Sequence, residues 1–303
     1  MSYFAINEDF LQQVETLQLI IKNNIAGLFG GNHQSRTYGS SCEFADYRDY
    51  IPGDDLTKID WNAYARFEKL YLKLFLDERQ VHTRIYIDAS RSMNFGKTKK
   101  AEKALQIAAT LAYLSICEMD KVSIYVIKEN KVHEVISKIV GKESYFNTIG
   151  KLNDIVFEGD SFISESILPT TVGYGDGLSV IISDFLTDNN YEDAIDYLVG
   201  KKRDVLCIQL LSTEEVKPSI RGKVQFIDSE NNEDIYKKDI SKDIVKAYHE
   251  ALDYCTGRIK NYCFSRDAKY LLASDDKTMQ EIFLGRLPEL EVLKWVLYFH
   301  LVY

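Results

Sequence analysis

The sequence predicts an α/β protein: an open, largely parallel sheet with helices on both faces, preceded by an irregular N-terminal extension. Three observations lead there. Residues 84–88, 121–127, 178–184 and 204–211 are short, nearly continuous apolar runs, the pattern of strands buried on both faces. Helical patterns fall between them, above all the Ala- and Leu-rich stretch 101–117. Strands separated by helices at this spacing call for crossover connections, and hence for parallel pairing.

The elements follow in order. Phe10, Leu11, Val14, Leu17, Ile20, Ile21 and Ile25 recur at spacings of three and four, which predicts an amphipathic helix over 7–28 ending near Gly27. Residues 29–66 are broken by Gly30-Gly31, Gly39, Pro52-Gly53 and Asp54-Asp55. They read as loops and short elements packed by Phe44, Tyr47, Tyr50, Trp61 and Tyr64. Residues 70–76 form a strand, 84–88 the first strand of the main sheet, and 121–127 the second, with 132–140 pairing beside it. Helices are expected at 145–155, 163–168 and 191–199, and strands at 178–184 and 204–211. Short strands at 222–240 flank a turn at 228–233, and a helix over 243–260 carries Ile244, Ala247, Tyr248, Ala251, Leu252 and Cys255 on one stripe. A strand at 270–273 and a helix at 279–284 complete the pattern. The expected organisation is an N-terminal helix and extension (1–80), a main domain (81–290) and an apolar tail (291–303).

Composition excludes several function classes. A net charge of −9 opposes general nucleic-acid binding, which needs clustered cations to neutralise phosphates. A basic cluster, Lys97-Thr-Lys99-Lys100, reads as a solvated helix face. Cys42, Cys117, Cys207, Cys255 and Cys263 are odd in number and widely spaced, which suits free thiols in a reducing compartment over a disulfide framework or zinc site. The N-terminus has no signal-peptide pattern, so a cytoplasmic location is expected. The apolar run 293–303 is too short to span a bilayer and reads as a terminal strand or a core-packed helix, with peripheral membrane contact as the alternative.

Ligands of open α/β sheets bind beyond the carboxyl ends of the strands. Two such ends carry acids: Asp88-Ala-Ser90-Arg-Ser92 after the first strand, and Ser183-Asp184-Phe185 after a later one. Asp88, Ser90 and Ser92 alternate along a loop, so their oxygens can converge, and Asp184 adds charge from a neighbouring strand. Such hard oxygen ligands suit one Mg²⁺ or Mn²⁺ ion. On spacing alone a second account stands beside this one: a strand-end turn in which Ser90 or Ser92 caps the backbone.

Asp88-Ala-Ser90-Arg-Ser92 resembles the Asp-x-Ser-x-Ser metal-ion-dependent adhesion motif of von Willebrand factor A domains. Gly159-Asp160-Ser161-Phe162-Ile163 resembles their second motif loop, with Ser161 in place of the usual Thr, and Asp184 stands where their third-motif Asp stands. Phe185 follows it where Gly is common. Upstream, His33-Gln-Ser35, Gly39, Glu43-Phe-Ala-Asp-Tyr-Arg-Asp-Tyr-Ile-Pro-Gly-Asp-Asp55, Lys58-Ile-Asp-Trp61, Ala65-Arg66 and Glu78-Arg79 resemble the bacterial DUF58 family, densely over about 30–130 and loosely to about 285. The resemblance implies a von Willebrand A-like domain, metal ligation by Asp88, Ser90, Ser92, Ser161 and Asp184, and partnership with MoxR-type AAA+ ATPases. The acids and arginines of that upstream string (Asp46, Arg48, Asp49, Asp54, Asp55, Asp60, Arg66, Glu78, Arg79) read either as ion pairs pinning an irregular segment to the sheet or as a partner-docking surface beside the metal.

The expected function is therefore a metal-dependent protein-interaction module and not an enzyme. Two alternatives remain: a metal-assisted hydrolase or phosphoryl-transfer enzyme using Asp88, and a metal-independent scaffold. Against the first, Ser90 stands where a nucleophilic Asp would have its second acid. No phosphate loop, His-Glu-x-x-His or Gly-x-Ser-x-Gly elbow occurs, and Gly173, Gly175 and Gly177 precede a strand instead of following one.

Overall fold

The structure, a computed structural model, describes residues 15, 17–19, 34–35, 44–75, 77–78, 81–96, 99–175, 177–187, 189–218, 222–227 and 235–295. The chain divides into two compact units, Asn24–Gln80 and the remainder. The larger unit holds a six-stranded sheet of β1 (His82–Asp88), β2 (Lys121–Lys128), β3 (Lys131–Ile139), β4 (Leu178–Ser183), β5 (Asp204–Leu211) and β6 (Lys269–Ser274). Their order is β6-β5-β4-β1-β2-β3. Every neighbouring pair is parallel except the edge hairpin β2–β3. An open, largely parallel sheet is thus the fold class, as the continuous apolar runs imply.

The faces of this sheet follow from the two-residue period of a strand. Ile85, Ile87, Val180, Ile182, Leu206 and Ile208 point to one face, where they meet Ala104, Ala108 and Leu111 of α1 (Lys100–Cys117). Tyr86, Ile181, Val205 and Cys207 point to the other. There they meet Ile163 and Ile167 of a short helix, Ala194, Ile195 and Leu198 of α2 (Glu192–Gly200), and Ile259 and Cys263 of α3 (Lys242–Ser265). Each large aliphatic side chain removed from water in this way contributes about 1.5–3 kcal/mol. α1 is buried on nearly every side, sharing its core with the sheet and with Tyr145, Phe283, Leu287 and Leu293.

The register sets where the chemistry can lie. Ile87 stands opposite Ile182, so Asp88 and Ser183 end adjacent strands side by side. The chain runs outward from β1 through β2 and β3, then crosses to begin β4 on the opposite side of β1. That reversal opens a crevice at the carboxyl ends of β1 and β4. At the opposite end of β4, Gly177 has φ +153°, and a Cβ there would overlap the His82 carbonyl oxygen and the Arg203 guanidinium. The Gly-x-Gly-x-Gly run therefore ends in a close backbone approach to β1.

Some expectations need correction. Leu17–Leu19 is a strand, pairing antiparallel with Leu293–Trp295, and not part of a helix. Its Leu-Gln-Leu alternation suits a ladder as well as the wider spacing suits a helix, and a partner strand decides between them. The rest of the helix expected at 7–28 lies outside the described residues, apart from Glu15, which is in a turn. The apolar run from 293 begins as that partner strand, and 296–303 lie outside the described residues. The stripe expected on α3 is not buried: Ile244, Ala247, Tyr248 and Ala251 are exposed and Leu252 and Cys255 half-buried, while Ile259 and Cys263 beyond it are covered.

The smaller unit is more regular than a string of loops. Phe44–Asp49 pairs antiparallel with Tyr71–Phe75, and the helix Trp61–Phe67 lies between them in sequence. Asp60 caps that helix, its Oδ1 accepting from Asn62 N at 2.9 Å and Ala63 N at 3.2 Å. Its other oxygen accepts from Tyr47 at 2.7 Å and pairs with Lys73 at 3.2 Å. The Tyr47 hydroxyl first, with these amides and Lys73, holds the Asp60 carboxyl down at about 2. Arg48 pairs with Asp54 at 2.7 Å, and Asp55 accepts from Thr57 N at 3.0 Å. These bonds lie within the segment itself and give its irregular backbone the partners that a ladder would supply. Trp61 and Tyr64 do not pack it: both are exposed, stacked edge to face on each other.

Candidate metal centre

Asp88 ends β1 and is 3% exposed. Its Oδ1 accepts from Ser90 N at 2.9 Å and from Ser161 Oγ at 2.6 Å, and its Oδ2 accepts from Ser183 Oγ at 2.6 Å. Three elements thus aim donors at one buried carboxylate. Burial first, and the Asp184 charge second, push the Asp88 carboxyl above the usual range, against the hydrogen bonds from Ser161, Ser183 and Ser90.

The loop after β1 continues into a 3-10 turn, Arg91–Asn94, with Ser90 at its N-cap. The Ser90 side chain does not cap that turn. Its Oγ lies 3.0 Å from Ser92 Oγ instead. That contact is a hydrogen bond between the two hydroxyls, and its length equals the roughly 3.0 Å between adjacent oxygens around an octahedral ion with ligands at about 2.1 Å.

Ser161 arrives on a second loop fastened to the first by main-chain bonds. Glu158 N donates to Ala89 O at 3.0 Å, and Arg91 N donates to Gly159 O at 2.8 Å. A bridge between Glu129 and Ser161 ties the same loop to the end of β2. Asp184 follows β4 directly and is 3% exposed. Its Oδ1 accepts from Leu186 N at 3.1 Å, and its carbonyl accepts from Gln209 on β5 at 2.7 Å. Phe185 then takes φ +50°. A left-handed residue costs about 1–2 kcal/mol unless it is glycine, which accounts for a glycine preference here. Phe185 offsets the cost by burying its ring, edge to face with Tyr191 at 5.5 Å.

The structure brings Asp88, Ser90, Ser92 and Ser161 together, and sets Asp184 one strand away at the same crevice. Among the described residues no group of three or more His, Cys, Asp and Glu side chains can hold a metal. The donor set here is of a different kind, two carboxylates with hydroxyls. All of it is hard oxygen, the ligand chemistry that suits a small divalent ion.

Three participants escaped the sequence. Ser183 was hidden as the last small residue of an apolar strand. Lys100, expected on a solvated face, is fully buried: its Nζ pairs with Asp184 Oδ2 at 2.8 Å and with Glu215 Oε1 at 2.7 Å. Burial opposes its charge, but Asp184 and Glu215 outweigh this and raise the Lys100 pKa. Glu215 is held in turn by a capping box, its other oxygen accepting from Ser212 N at 2.6 Å. The signal for Lys100 was its place on the stripe of Ala104, Ile107 and Leu111, at helical spacing. Of its basic neighbours, Lys99 is exposed and Lys97 lies outside the described residues.

A family model described as "Protein of unknown function DUF58" matches residues 46–254. Two mycobacterial proteins, the uncharacterized Rv1480 of Mycobacterium tuberculosis and Mb1516 of Mycobacterium bovis, are each 25% identical over 224 residues, covering 72% of this chain and 70% of theirs. Among solved structures, an aerotolerance-related membrane protein from Bacteroides fragilis overlaps at a TM-score of 0.36 and 13% identity, covering 69% of this chain and 99% of its own. The SpRpn10 VWA domain overlaps at 0.34 and 10% identity, covering 69% and 96%. Overlaps this loose bear no weight on what the chain does.

Proposed function

The chain belongs to the DUF58 family, and from that premise we propose that it is a divalent-metal-dependent protein-interaction module and not an enzyme. The observation that carries the reading is the convergence on Asp88 of Ser90, Ser161 and Ser183, drawn from three separate elements at the crevice of an open sheet. Asp88, Ser90, Ser92 and Ser161 would hold Mg²⁺ or Mn²⁺, with Asp184 directly or through water. An ion held by few anionic protein ligands stays electrophilic and attracts a carboxylate from a partner. The serines and Asp88 act as a rigid cradle, fixed by the bonds between the two loops, so that little ordering is needed when a partner docks.

The partner class that the family resemblance implies is a MoxR-type AAA+ ATPase. The test is capture of a purified MoxR-type ATPase by the full chain in Mg²⁺, against the same experiment in excess chelator and with Asp88→Ala. Capture lost in both supports the reading, and capture that survives saturating chelator overturns it. A second reading, a metal-independent scaffold, is favoured by one observation: the Lys100 ammonium already sits on Asp184.

A further inference from the structure

We propose that Lys100 shares Asp184 with an incoming divalent ion, and so sets how tightly the site binds metal. The inference rests on the metal reading above and gives that site its regulator. Lys100 is an improbable place for a charge unless its partners require it. It opens α1, where the helix dipole disfavours a cation, and its side chain is fully buried. Among the described residues two ion pairs compensate it, and each partner is itself held in place. Glu215 is locked into its capping box through Ser212, and Tyr248 Oη donates to the Glu215 carbonyl at 2.9 Å. Asp184 is fixed by Leu186 N on the oxygen that Lys100 leaves free.

The charges define the consequence. Asp184 and Glu215 hold the Lys100 ammonium between them, two carboxylates to one cation, and the Asp88 carboxyl beside Asp184 adds to the acidic side of the site. An ion drawing on Asp184 must work against the ammonium fixed 2.8 Å from that carboxylate. Like charges brought onto one buried carboxylate repel inside a protein, so a neutral residue at 100 strengthens metal binding about tenfold or more. A purely structural Lys100 gives no such gain, since its loss would only loosen Asp184.

The experiment titrates Mn²⁺ calorimetrically into the full chain as wild type, Lys100→Met and Lys100→Gln, with Asp88→Ala as the blank and far-UV circular dichroism to check folding. The expected result is Mn²⁺ binding at least about tenfold tighter in both folded variants than in the wild type. Equal or weaker binding in the variants, beside a wild type that binds, overturns this inference and leaves the metal reading standing. No binding in any folded protein overturns both. Should neither variant fold, a crystal structure of the wild type with Mn²⁺ decides: the ion and Lys100 Nζ together on the Asp184 carboxylate support the proposal, and an ion bound clear of Asp184 overturns it.

Discussion

Ser183 Oγ donates to Asp88 Oδ2 across 2.6 Å, linking the ends of the two strands between which the sheet reverses its chain order. The same Oγ accepts from Phe185 N at 3.0 Å, so one hydroxyl orients the carboxylate and pins the left-handed residue beyond Asp184. Ser183→Ala leaves Asp88 Oδ2 without that donor in a buried site. Its removal lowers unfolding stability by about 1–3 kcal/mol in urea melts. Divalent-ion affinity falls with it, although the hydroxyl is not itself offered as a ligand.

Phe185 separates backbone from packing. Phe185→Gly removes the left-handed strain of about 1 kcal/mol but also the ring buried against Tyr191. Loss of a buried aromatic costs about 3–5 kcal/mol, so the variant is destabilised by about 2–4 kcal/mol in chemical melts. The Leu186 amide still addresses Asp184 there, and metal affinity changes little.

Gly177→Ala has no compensating gain. A Cβ at φ +153° meets the His82 carbonyl and the guanidinium of Arg203, a side chain that also holds Ser179 Oγ at 2.6 Å and Leu178 O at 2.8 Å. Thermal and urea melts are expected to show a loss of about 3 kcal/mol or more, from strain at a special φ and from disruption of a buried cation.

The acid limb of stability reports on His82. Burial first, then the Arg84 and Arg203 charges, lower its pKa to about 3 from 6.5, and its Nε2 lies 3.0 Å from Ser123 Oγ. A depressed histidine is neutral in the fold while the unfolded chain takes up the proton. Its contribution is therefore complete above pH 6.5 and declines as pH falls from there toward 3. His82→Gln should flatten that decline by about 2 kcal/mol, the full shift being discounted because the ring is partly exposed. A profile of unfolding free energy between those pH limits that is unchanged by the substitution contradicts the assignment.

Legibility of the sequence follows burial geometry. β1, β2, β4 and β5 were visible because strands covered on both faces must be apolar at every position, and Asp88 and Asp184 stood out as acids closing such runs. The helix Trp61–Phe67 was not visible, since its seven residues span too few turns for a period and only Ala63 is buried. Lys100 was misplaced for another reason. A lysine is solvated by default, and its counter-charges lie 84 and 115 residues away along the chain. Ser183 contributes through one bond made by register between β1 and β4, and a single sequence does not spell out which strands lie side by side.

The most direct test of the account is calorimetric titration of Mg²⁺ and Mn²⁺ into the purified full chain, with Asp88→Ala and Asp184→Ala alongside. The predicted result is binding close to one equivalent that Asp88→Ala abolishes and Asp184→Ala abolishes or sharply weakens. Absence of binding in the folded wild type, repeated by electron paramagnetic resonance with Mn²⁺, contradicts the metal-dependent module and leaves the sheet serving as a metal-independent scaffold.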